Sequence, residues 1–165
     1  MIKLQGSSNE NFIVLGLGRS GTASAHALNA SGANVICWDD DPEKRSLASS
    51  QGLRVMSLVS DFDWQNIDRL IISPGVPHHF PSPHPIVSAA VSAGVLIDND
   101  VGLFFQSIAT ESWEKFSVRP RIVAVTGSNG KSTTASLLHH IFLKLGYKSQ
   151  LAGNIGRGVL DIDPP

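Results

Sequence analysis

The run Ile122-Val123-Ala124-Val125-Thr126 passes directly into Gly127-Ser128-Asn129-Gly130-Lys131-Ser132-Thr133 and then into an apolar-striped segment ending at Leu145. The β-branched run predicts a buried strand, the two glycines a loop with unusual backbone freedom, and the remainder a helix opening on the lysine. Strand, glycine loop and helix in that order make a phosphate site, because N–H groups of the loop and first helical turn converge where the helix dipole is positive. Lys131 would neutralise the outer phosphates and the Ser132 hydroxyl would ligate Mg²⁺. A strict P-loop has another glycine at the place of Val125, so the pattern is a shortened form, G-x-x-G-K-S-T. The plainer reading, a glycine turn with a solvated lysine, fits the flanking strand and helix poorly. A nucleoside triphosphate is the expected ligand.

A second glycine turn stands near the start of the chain. Phe12 to Leu15 reads as a buried strand, Gly16-Leu17-Gly18-Arg19-Ser20-Gly21 as G-x-G-x-x-G, and Thr22 to Ala30 as a helix closed by Gly32. The next strand, Asn34 to Trp38, ends in Asp39-Asp40-Asp41, about 20 residues past the glycines, where a dinucleotide fold places a ribose-binding acid. Asp39, first after the strand, is the ribose candidate. Asp41 before Pro42 reads as a helix cap, and Asp40 as solvated. The plainer account of the glycines is tight strand-to-helix packing with no ligand.

Further strands are expected at Leu53 to Met56, Arg69 to Ser73 and Val95 to Ile97, with a helix at Ile86 to Ala93 and a short helix or apolar lid at Val101 to Ile108. Strands alternating with helices imply an α/β chain with a parallel sheet. Ser73-Pro74-Gly75-Val76-Pro77 turns at a strand's C-terminal edge, where such sheets bind ligands, although an ordinary loop has the same composition. His78, His79 and His84 lack a fourth donor at zinc spacing and read as loop histidines, and His139 and His140 as structural or solvated. In the last helix, Leu137, Leu138, Ile141, Phe142 and Leu145 form a stripe expected to be buried, with Gly146 as its stop. Asn154, between glycines in Gly153-Asn154-Ile155-Gly156, would be held beside the phosphate loop.

Charge and cysteine content narrow the partners. Residues 1 to 106 hold six basic and ten acidic side chains, and residues 107 to 165 seven and four, so the half with the Lys131 loop is net positive, as suits phosphate. No dense Lys/Arg run follows a nucleic-acid backbone, and nucleic acid is an unexpected partner. Cys37 is alone in an apolar run, which rules out an intrachain disulfide and favours burial over reactivity. No apolar run reaches 18 residues. Membrane insertion is not expected, and a cytoplasmic location is.

These motifs in this order resemble the Mur ligases, most closely the members that add D-glutamate. The resemblance runs from Phe12 to Leu160 and rests on Gly16-Leu17-Gly18-x-Ser20-Gly21, Ser73-Pro74-Gly75, Gly127 to Thr133 and Gly153-Asn154-Ile155-Gly156. The family's shortened phosphate loop accounts for Val125. It implies a Rossmann-like UDP-sugar-binding domain at residues 1–108, a linker at 109–120, and the beginning of a P-loop ATPase domain at 121–165, the chain being an N-terminal portion that is inactive alone. In such enzymes ATP phosphorylates the carboxylate of UDP-N-acetylmuramoyl-L-alanine, and the amine of D-glutamate attacks the acyl phosphate.

Carried over by motif, Arg19, Ser20, Asp39, Gly75 and Asn154 would face the UDP-sugar. Gly127, Ser128, Asn129, Gly130, Lys131, Ser132 and Thr133 would hold ATP, Ser132 and Thr133 would meet Mg²⁺, and Lys131 and Asn154 would serve catalysis. Two departures stand out: Gly102 lies where relatives often carry an acid in D-x-E-L-F, and Asp40-Asp41 replace residues that elsewhere help bind the nucleotide. Two rival readings remain, an NAD-dependent oxidoreductase built on Gly16 to Gly21 with Asp39, and a non-catalytic nucleotide-binding module.

Overall fold

The computed structural model describes residues 4, 6–58, 62–110 and 121–163, except for the side chains of 108–110. Its elements are β1 (Asn11–Leu15), α1 (Arg19–Ala30), β2 (Asn34–Trp38), α2 (Pro42–Ser50), β3 (Arg69–Ile72), α3 (Pro85–Ser92), β4 (Leu96–Asp98), α4 (Asp100–Thr110) and α5 (Lys131–Lys144). Helix α4 thus continues into the expected linker, whose residues 111–120 lie outside the described residues.

The four strands form one parallel sheet in the order β2-β1-β3-β4. β1 runs opposite β2 from Asn11↔Asn34 to Leu15↔Trp38, and opposite β3 from Phe12↔Arg69 to Leu15↔Ile72. Unbroken apolar runs are what a central parallel strand needs, since helices cover both of its faces. Phe12 and Val14 enter one core with Ala25 and Leu28 of α1 and Leu103 and Phe104 of α4. Ile13 and Leu15 enter the other with Ile86, Val87 and Ala90 of α3. The Rossmann-like α/β arrangement expected for the first unit is therefore present. Burial pushes the Cys37 thiol up to about 12, which leaves it a small apolar core residue.

Local signals fix the helix ends. The Asp41 carboxylate accepts the Glu43 N–H at 2.9 Å with Pro42 in the first turn, the cap the sequence predicts. Asp41→Ala should cost about 1 kcal/mol in urea unfolding, and an unchanged midpoint would rule the cap out. At the end of α5, Tyr147 N donates to Phe142 O at 2.9 Å and Gly146 N to Leu143 O at 3.1 Å, while the Phe142 and Tyr147 rings meet edge to face at 6.1 Å. This is a complete Schellman stop, with Gly146 at φ +82°.

Three expectations fail. Leu53 to Met56 makes one parallel bridge, Val55 to Cys37, rather than a strand. It lies outside β2 at the sheet edge, with two backbone bonds, Cys37 N to Arg54 O and Met56 N to Cys37 O. Residues 122–126 form no strand, and Ile122 and Val123 are 41% and 57% exposed. A strand is held by its neighbours, and no described residue pairs with this run. For the same reason the stripe of α5 is not buried: the helix has no buried residue, and Leu137 is 57% exposed.

The chain then returns to the first unit. Val159 and Leu160 enter the same core as Leu17, Ala25, Leu28 and Leu103, with Leu160 fully buried. Gly158 lies so close to α1 that a Cβ there would sit 2.9 Å from the Ala23 methyl. Residues 158–160 thus pack on the N-terminal unit although the motif reading assigns them to the second.

Candidate functional site

The order β2-β1-β3-β4 sends the chain in opposite directions from β1, and such a reversal opens a crevice at the C-terminal ends of the strands. A cleft of about 320 Å³ lies there, formed by the turns after β1, β2 and β3 and closed on one side by Gly153 and Asn154. Arg19, Ser20, Asp39, Gly75 and Asn154 all line it, as do Asp40, Lys44 and His84, which the motifs did not indicate. A larger hollow of about 480 Å³ opens around Asn11, Asn34 and Arg54, at the opposite ends of the strands and away from both glycine turns.

The three glycines of the first turn have different causes. A Cβ on Gly21 would fall 1.8 Å from Gly16 O, and one on Gly16 2.8 Å from the Ser73 Cβ, so packing alone demands both. Gly18 is another matter, because its φ is −75° and a Cβ there would meet nothing within 4 Å. It caps α1 without a side-chain acceptor, so no side chain bonds the N–H groups of the first turn, whose residues Arg19 and Ser20 line the cleft. A helix start of this kind suits an anionic group, and the missing side chain at Gly18 lets it come close. The packing account therefore covers two glycines of three.

Asp39 has a structural task of its own. Its Oδ2 accepts the Leu17 N–H at 2.6 Å and its Oδ1 the Asp41 N–H at 2.9 Å, with Lys44 Nζ at 3.6 Å. The carboxylate clamps the glycine turn to the end of β2 and retains lone pairs for further donors. Asp40 is not simply solvated, as the sequence suggested. Although 72% exposed, its carboxylate accepts from Trp38 Nε1 at 3.3 Å and meets His84 Nε2 at 2.9 Å. The hydrogen bond from His84 holds the Asp40 carboxyl below the usual carboxylate range. Arg45 stacks on Trp38 at 4.5 Å and donates to Asp39 O and Asp40 O, fixing the turn. His84 in turn caps α3, its Nδ1 accepting the Ile86 N–H at 3.2 Å. The one local signal for that cap is a polar residue directly before Pro85 and an apolar helix.

Arg19 lines the cleft but spends its guanidinium on the second motif, donating to Gly156 O at 3.1 Å and Asn154 O at 3.2 Å. It thereby holds Asn154 against the cleft wall. The Lys131 loop stands apart, and none of Gly127 to Thr133 lines the cleft. Gly127 and Gly130 take φ of +141° and +78°, and Lys131 Nζ folds back onto Gly127 O at 2.5 Å and Ser128 O at 3.1 Å. Gly130 caps α5 with no side-chain bond, so this helix start is also open to an anion. At Gly102 a Cβ would fall 1.9 Å from Asp98 Oδ1, so a side chain there would require the Asp98 carboxylate to move.

Compared with curated proteins, the chain is 54% identical over all 165 residues to the UDP-N-acetylmuramoylalanine--D-glutamate ligase of Roseobacter denitrificans. Over 164 residues it is 54% identical to the ligase of that name from Ruegeria pomeroyi and 52% to that of Cereibacter sphaeroides. Its sequence is similar to those of these ligases. The chain spans about a third of the length of these relatives, 36% of the first and 35% of the other two. No family model matches. Among solved structures, shikimate dehydrogenase from Aquifex aeolicus superposes with a TM-score of 0.46 at 18% identity, over 62% of this chain and 47% of that one. That likeness is too low to bear on function. No helix among the described residues is long and apolar enough to cross a membrane.

Proposed function

We propose that this chain carries the UDP-sugar site and the opening of the ATP site of a cytoplasmic, ATP-dependent ligase of peptidoglycan precursor synthesis. That enzyme joins D-glutamate to UDP-N-acetylmuramoyl-L-alanine. The observation that carries the reading is the convergence of Arg19, Ser20, Asp39, Gly75 and Asn154, drawn from four separated stretches of sequence, on one cleft at an uncapped helix start. The diphosphate would meet the first-turn N–H groups of α1 beside Gly18, and Asp39 would take the ribose hydroxyls.

Residues 1–108 would form the UDP-sugar domain, 109–120 the linker and 121–165 the start of the ATP-binding domain. Gly127 to Thr133 would cradle ATP, with Lys131 trading its loop carbonyls for phosphate oxygens. The Ser132 and Thr133 hydroxyls, in the first turn of α5, would offer oxygen ligands to Mg²⁺, which would supply positive charge to the phosphates. No base is needed on this loop: its task is to neutralise and align a phosphoryl group passing to the sugar's carboxylate, and the acyl phosphate is then open to the amine of D-glutamate. Asn154, fixed by Arg19, would stand between the two ligands.

Calorimetric titration tests the reading. UDP-N-acetylmuramoyl-L-alanine should bind saturably and NAD⁺ should not. Asp39→Ala should weaken the UDP-sugar about tenfold or more, the worth of a hydrogen bond to a charged group. Saturable NAD⁺ binding with no response to the UDP-sugar would favour the oxidoreductase and end the ligase reading.

A further inference from the structure

Two loops face each other across the mouth of the cleft, and one side chain joins them. The loop from β3 to α3 is drawn closed where His84 N donates to Pro77 O at 2.9 Å. His84 then uses its two ring nitrogens for different tasks. Nδ1 accepts from Ile86 N and caps α3, while Nε2 meets Asp40 Oδ2 at 2.9 Å. A nitrogen that accepts carries no proton, so the ring proton is on Nε2 and His84 donates to Asp40. The histidine side chain is only 15% exposed. Asp40 is anchored from behind by Trp38 Nε1 and by Arg45 on its backbone carbonyl. The connection therefore runs from α3 through His84 and Asp40 to the end of β2, with both ends tied to regular structure.

We propose that His84 is a positioning residue for the nucleotide, holding through Asp40 the spacing between the loops after β2 and β3 so that the cleft is set before the ligand arrives. The proposal rests on the cleft being the UDP-sugar site. With the link removed, the two loops sample wider separations, and apparent affinity falls with the fraction of molecules whose cleft has the right width.

The two tasks of the ring can be separated. An asparagine places its amide oxygen where Nδ1 lies, and a glutamine places its amide N–H near Nε2. H84N thus keeps the cap and loses the link, while H84Q keeps the link and loses the cap. UDP-N-acetylmuramoyl-L-alanine would be titrated into wild type, H84N, H84Q, D40A and the double variant H84N/D40A, with a thermal melt of each. H84N should melt with wild type but raise Kd roughly tenfold, as a fall in the competent fraction requires. H84Q should melt lower yet restore Kd to within about twofold of wild type. D40A should weaken binding as H84N does, and the double variant no further, because both changes break one bond. H84N binding as tightly as wild type, or H84Q binding as weakly as H84N, overturns the proposal while leaving the cleft as the sugar site. A wild-type protein that does not take up the UDP-sugar overturns the function and this inference together.

Discussion

Lys131→Ala, in an enzyme of the relatives' full length, is expected to lower ATP-dependent ligation by about a hundredfold to a thousandfold, the usual loss when one preorganised charge-stabilising group is removed. Among the described residues Lys131 bonds only to Gly127 O and Ser128 O, with no carboxylate to hold it, so a phosphate oxygen replaces neutral acceptors at little cost. On the proposed function, the charge would then act where negative charge accumulates in the transferring group. UDP-sugar affinity should stay within about twofold, because no residue of this loop lines the cleft and the lost interaction belongs to the transition state. Phosphate release measured alongside titration separates the two effects. A variant that kept more than about a tenth of wild-type turnover would show that the lysine does not bear the transition-state charge.

The largest stability loss should follow Leu160→Ala, about 2–5 kcal/mol by urea unfolding, from the lost burial and the cavity left behind. Leu160 is fully buried among Leu17, Ala25, Leu28 and Leu103, although it lies beyond α5 in the chain. Leu137→Ala on α5 is the matched control: that side chain is 57% exposed, and its loss should change stability by less than about 0.5 kcal/mol. Equal small effects at the two positions would mean that residues 158–160 are not part of the first core.

The sequence made β1, β2 and β3 legible because a strand covered on both faces must be apolar throughout, and little else yields Phe12 to Leu15. Asp41-Pro42 and Gly146 were equally plain, since caps and stops are settled within a few residues. What failed depends on partners the local sequence does not describe. Leu53 to Met56 reads as a strand, but the edge it joins gives it a single bridge. Ile122 to Thr126 has every strand signal and no described neighbour to pair with. At the site, Asp39 was readable from its distance past the glycines, while Arg19, Ser20, Gly75 and Asn154 came with Asp39 from the motif resemblance, and all five line the cleft. The double use of Asp39 and the Asp40–His84 bond were not readable, because the latter joins residues 44 positions apart through a loop with no periodic pattern.

The docking of residues 153–160 on α1 also bears on how the chain is made. Arg19 meets Gly156 across 137 positions, and closing so long a loop costs about 4 kcal/mol of chain entropy before any contact offsets it. On a ribosome adding a few to twenty residues per second, α1 waits on the order of ten seconds for the segment that covers it. Throughout that interval Leu17, Ala25 and Leu28 lack the cover of Leu160, and the nascent sheet is an open-sided intermediate. The step that covers this apolar surface with Leu160 thus comes after synthesis of the Lys131 loop, and the surface is open to aggregation and chaperone capture from the making of α1 until then.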